Sequence, residues 1–80
     1  MISVAQIRAA RGLLGWSQDQ LAQAAGISGP TVRRLETDQG VTVSEASRTA
    51  IQSALEKAGV EFIEQNGGGP GVRLKKAKRR

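Results

Sequence analysis

Apolar residues recur three and four positions apart through most of the chain, then give way to alternation near its end. Val4, Ile7, Ala10 and Leu14, with Arg11 beside them, share one side of a helix predicted from Ser3 to about Leu14. Ser3 and Gln6 make a capping-box pair at its start, and Gly15 breaks it. Trp16 follows. It is expected to close the core beneath the first two helices; its rival role is an exposed aromatic that stacks on a base or a partner. Ser17 and Gln20 repeat the capping box, and Leu21, Ala22 and Ala25 repeat the helical spacing. Gly26 ends this second helix, since glycine accepts the left-handed backbone a helix stop requires. Ile27 is a lone apolar residue placed to plug the turn.

Ser28 caps a third helix, about 28–37, with Pro30 in its first turn, where a missing N–H is harmless. Val32 and Leu35 face inward, which leaves Thr31, Arg33 and Arg34 pointing elsewhere. After a turn at Thr37-Asp38-Gln39-Gly40, Thr42 and Glu45 form a third capping-box pair. They predict a fourth helix to about Ala58, with Ala46, Ala50, Ile51, Ala54, Leu55 and Ala58 as its apolar stripe and Gly59 as its stop.

The pattern then changes period. Val60-Glu61-Phe62-Ile63-Glu64 suits a strand, residues 65–71 a turn, and Val72-Arg73-Leu74 a return strand. Such a hairpin is marginal in water unless it packs on something. Phe62 or Val60, with Leu74, can lie on the fourth helix, and the outer edge can pair with a second chain. The competing reading is a glycine linker followed by a disordered tail. The Gly67-Gly68-Gly69-Pro70-Gly71 run is not expected to cradle a nucleotide. It lacks the Gly-Lys-Ser/Thr ending of a phosphate loop, and no helix follows it.

The net charge of +5 is unevenly placed. Arg73, Lys75, Lys76, Lys78, Arg79 and Arg80 crowd residues 73–80, where there are no acids. The remainder holds six bases against seven acids, so the folded part is near neutral at −1. Overall basicity is therefore poor evidence for nucleic-acid binding by the domain, and the location of individual charges matters more. The chain has no cysteine and no histidine, which excludes disulfides, Cys/His zinc sites and histidine catalysis. With no catalytic base cluster or nucleophile constellation either, an enzyme is not expected, nor is a metal or other cofactor. No apolar run approaches the roughly 20 residues that cross a bilayer, and no secretion signal is visible, so a cytoplasmic protein that binds no membrane is expected. A core of this size is marginal, and dimerisation is a common supplement.

Ser17-Gln18-x-x-Leu21-Ala22, then Gly26-Ile27-Ser28, then Thr31-Val32-x-x-Leu35-Glu36 resembles the helix-turn-helix of the Xre family, the phage-repressor and Cro type. Ile7, Arg11 and Gly15 extend the match backward, and it continues forward to about Gly40, more weakly to Gly59. The resemblance implies a mainly α fold: a four-helix, lambda-repressor-like DNA-binding domain over residues 1–59. The short β-hairpin then spans 60–74, as a possible dimerisation element, and residues 75–80 form a basic disordered tail.

The same resemblance implies a sequence-specific regulator of transcription that acts on double-stranded DNA as a homodimer, in the cytoplasm and on the nucleoid. The third helix becomes the recognition helix, with base contacts from Ser28, Pro30, Thr31, Arg33 and Arg34. Related repressors often carry long polar side chains at the positions of Gly29 and Pro30. Their absence here shifts base reading toward Arg33, Arg34 and Thr31, since arginine bonds guanine bidentately. The alternative for the two arginines is plain solvated charge. Gln18, Gly29, Thr42 and Val43 are assigned to phosphate, helped at helix starts by free N–H groups. Arg11 and Glu36 look like the family's structural ion pair. An antitoxin-type or other protein-interaction module on the same fold is the alternative, because fold does not fix function. The basic tail either adds sequence-independent affinity or only solubilises.

Overall fold

A computed structural model of the chain describes residues 2–38, 43–64 and 67–75. Four helices are followed by two strands: α1 Val4–Leu14, α2 Gln18–Ala25, α3 Gly29–Thr37, α4 Glu45–Lys57, β1 Val60–Ile63 and β2 Gly71–Leu74. The mainly helical, lambda-repressor-like fold with a terminal hairpin is the one expected from the sequence.

Local chemistry sets the first five boundaries. The Ser3 hydroxyl accepts from the Gln6 N–H while the Gln6 carbonyl oxygen accepts from the Ser3 N–H, and Ser17 and Gln20 do the same for α2. Gly15 and Gly26 end α1 and α2 in left-handed conformations, φ 69° and 72°. That backbone costs an L-residue energy and glycine none. Ser28 caps α3 by accepting from the Thr31 N–H, with Pro30 in the first turn.

The fourth helix begins later than expected. Its cap is Ser44, whose hydroxyl accepts from the Ser47 N–H, not Thr42, which lies outside the described residues. Serine is the stronger cap, and capping at 44 leaves Val43 just outside the helix, with its side chain in the core at 8% exposure. Ala46 is exposed, so the buried stripe of α4 rests on Ile51, Ala54 and Leu55.

The core draws on every helix: Val4, Ile7 and Ala10 from α1, Leu21 and Ala22 from α2, Val32 and Leu35 from α3, and the α4 stripe. Val43 and Val60 complete it. Full burial of one such aliphatic side chain is worth about 1.5–3 kcal/mol. Trp16 is half-buried against this cluster, which is the core-closing role.

The hairpin is formed and docked. It is antiparallel, with Val60 opposite Leu74, Glu61 opposite Arg73, Phe62 opposite Val72 and Ile63 opposite Gly71. Strand β1 lies against α4 and β2 against α1. Val60 is fully buried, and Phe62 and Val72 pack on the core. Leu74 does not join them: it remains 46% exposed at the end of β2, the strand that lies against α1 while β1 takes α4. Three further bonds hold the hairpin. The buried Gln6 side chain donates from Nε2 to the carbonyls of Gly71 (2.9 Å) and Ile63 (3.3 Å), and the Lys75 N–H donates to the Gly59 carbonyl (2.8 Å). Residues 76–80 of the expected tail lie outside the described residues. Among the described residues, no helix is long and apolar enough to cross a membrane.

Candidate nucleic-acid interface

The turn between α2 and α3 is short and internally bonded. The N–H groups of Gly26 and Ile27 reach back to the carbonyls of Gln23 and Ala22, and Ile27 sits half-buried against the core. Val32 and Leu35 are fully buried, so the rotation of α3 about its own axis is fixed. With those two inward, Pro30, Arg33 and Arg34 are exposed, as is the cap residue Ser28. Thr31 is half-buried, and its hydroxyl lies 2.7 Å from that of Ser28. Gly29 is half-buried at the first position of the helix.

The two arginines have different surroundings. Arg34 makes no ion pair or side-chain hydrogen bond among the described residues. The Arg33 guanidinium lies 3.5 Å from the Asp19 carboxylate on α2, with the two side chains 53% and 80% exposed.

A tighter cluster fixes the other end of α3. Arg11 donates from Nε and Nη2 to the two oxygens of Glu36, at 2.8 and 2.9 Å, and from Nη1 to the Trp16 carbonyl at 3.0 Å. The Glu36 side chain is only 6% exposed. Burial pushes its carboxyl pKa up, but hydrogen bonds from Arg11 and Gln18, with the charges of Arg11 and Arg8, more than offset this and leave it lowered. Arg11 is correspondingly raised, chiefly by its hydrogen bond to Glu36. The expected structural pair is therefore present, and it also ties α1 to the loop before α2.

Gln18 joins this cluster, donating from Nε2 to Glu36 at 3.0 Å. A glutamine amide carries two N–H groups, so one remains for a phosphate at the start of α2. Val43, also assigned to phosphate, has its side chain in the core, which leaves only its backbone to offer; Thr42 lies outside the described residues. Ser28, Gly29, Pro30, Thr31, Arg33 and Arg34 follow one another along the start and middle of α3, whereas Gln18 is drawn to Glu36 near its other end. Asp19 is the residue in this neighbourhood that sequence reasoning missed. Its only signal was the lack of a side chain at Gly29, the place its carboxylate leans over.

The model of the helix-turn-helix family matches residues 7–50. This chain belongs to the helix-turn-helix family. The match takes in most of α1, all of α2 and α3, and the first six residues of α4. No curated protein matches the chain. The helix-turn-helix domain is a DNA-binding one, and it makes this protein a DNA-binding regulator of transcription whose partner is double-stranded DNA.

Proposed function

We propose that this helix-turn-helix protein is an Xre-type, sequence-specific regulator that binds a near-palindromic operator as a homodimer, in the cytoplasm and on the nucleoid. One observation carries the reading: buried Val32 and Leu35 fix α3 so that Arg33 and Arg34 both project into solvent. B-DNA's major groove admits one helix, and each base pair shows a distinct donor and acceptor pattern there. Arg33 and Arg34 read bases, with Ser28, Thr31 and the apolar ring of Pro30 beside them. Gln18, Thr42 and Val43 hold phosphates and set the register; Gly29, assigned with them from the sequence, lies under the Asp19 carboxylate and leaves that set. Two copies place their recognition helices about 34 Å apart, one turn of the duplex. Occupancy of promoter DNA then blocks or recruits polymerase.

The test is selection of bound sequences from random duplex DNA at moderate salt. The expected result is a pseudo-palindrome with half-site centres one helical turn apart. Recovery of no preferred sequence refutes the reading and leaves a protein-interaction module on the same fold.

A further inference from the structure

Three residues converge at the start of α3. Asp19 is the second residue of α2, Gly29 the first of α3, and Arg33 stands one turn further on. A Cβ at position 29 would come to 2.5 Å of the Asp19 Oδ1 and 3.5 Å of the Arg33 Nη1. The same carboxylate oxygen lies 3.5 Å from that nitrogen. The glycine thus leaves the space through which an acid on α2 meets an arginine on the reading helix.

We propose that Asp19 is a positioning residue for sequence readout, holding Arg33 toward base edges and away from the phosphate backbone. The proposal rests on the DNA-binding reading above. An unheld arginine has many rotamers and an abundant alternative partner in the phosphates, which carry no sequence information. A carboxylate beside the guanidinium opposes a second full negative charge at the same place, while a guanine edge, with only the partial charges of O6 and N7, is repelled far less. Asp19 therefore gives up overall affinity for discrimination, which is a difference between binding energies and can be raised by weakening the wrong contacts. An exposed ion pair is weak, so the effect is confined to about fivefold at one base pair. Arg34, which has no such partner, reads independently of Asp19.

The experiment measures affinity for a selected operator and its single-base variants, together with the salt dependence on random duplex. It compares wild type with Asp19→Asn, Asp19→Glu, Arg33→Ala, Gly29→Ala and the Asp19→Asn/Gly29→Ala double variant. Asp19→Asn is expected to bind random duplex more tightly and to steepen its log–log salt slope by up to about one unit, as Arg33 moves onto a phosphate. It is expected to lose about three- to fivefold of discrimination at the one base pair where Arg33→Ala also loses it. Gly29→Ala crowds the carboxylate and gives the same profile, the double variant adds nothing to either single change, and Asp19→Glu keeps the wild-type preference. A merely structural role would lower affinity evenly for all sequences with no change in slope. That result, or undiminished discrimination in Asp19→Asn, overturns the proposal and leaves the DNA-binding reading standing. A wild type that prefers no sequence removes both.

Discussion

Helix α3 has an acid–arginine pair at each end, and the two pairs differ in almost everything except charge. At the C-terminal end Arg11 and Glu36 are bonded twice at under 3 Å, with Glu36 nearly sealed from water and Gln18 and the Trp16 carbonyl joined to them. At the N-terminal end Asp19 and Arg33 are 3.5 Å apart and largely in solvent. Breaking the first from one side strands a charge in the protein; breaking the second exposes two groups that water already reaches. One end of α3 is therefore fixed to the fold, while the pair at the other lies open to solvent. On the proposed function, that makes a rigid frame with a solvent-facing reading edge.

Substitutions sharpen this contrast. The largest effect is expected for Arg11→Ala, which leaves the Glu36 carboxylate unpaired and destabilises the fold by about 3–5 kcal/mol in urea titrations. Replacing both partners, Arg11→Met with Glu36→Leu, should cost less than Arg11→Ala alone, because no buried charge then remains. If the double change costs more, the pair's attraction and not the stranded charge is what matters. Gln6→Ala comes next, at about 1–3 kcal/mol, since the Gly71 and Ile63 carbonyls lose a part-buried donor. Hydrogen exchange should show the loss concentrated in the hairpin, with α3 amides still protected.

Acid supplies a smaller and more selective perturbation. The folded state lowers the Glu36 pKa below the ordinary value of 4.5. Its stabilisation is therefore complete above that value and lost as pH falls through the lower, folded one. A Glu36→Gln variant should show a flatter decline of stability in that acid window than wild type. A decline as steep as the wild type's in that variant would take Glu36 out of the acid response of the fold.

Much of this arrangement was legible in the sequence because it is local. Ser3 with Gln6, Ser17 with Gln20, and glycines at 15 and 26 fix helix ends through groups three or four residues apart, and such groups meet whatever the rest of the chain does. The alternation from Val60 gave the strands and their inner face. Thr42 and Ser44 are both able to cap, so the sequence leaves the start of α4 open; the stronger serine cap and the burial of Val43 go together in the fold. Alternation puts Leu74 on the same face as Val60, where it can lie on the fourth helix, but it does not show which helix each strand meets. Gln6 was read as a capping partner, and its hold on a strand 65 residues away has no local signature. Asp19 and Arg33 are 14 apart and meet only through the distance between α2 and α3, so their pairing needed the folded chain. Arg11 and Glu36, 25 apart, were foreseen only through resemblance to a family.

Amide NMR shifts on titration with a selected duplex test the central claim most directly, because they separate the reading edge from the frame within one sample. The predicted result is that the largest changes fall on Gln18, Asp19 and residues 28–34 other than Pro30, which has no amide proton, with α1 and the hairpin from Val60 to Leu74 little altered. Saturable changes confined to the hairpin and α4, with the amides of α3 unmoved, would contradict the claim that α3 is the part of this molecule that meets DNA.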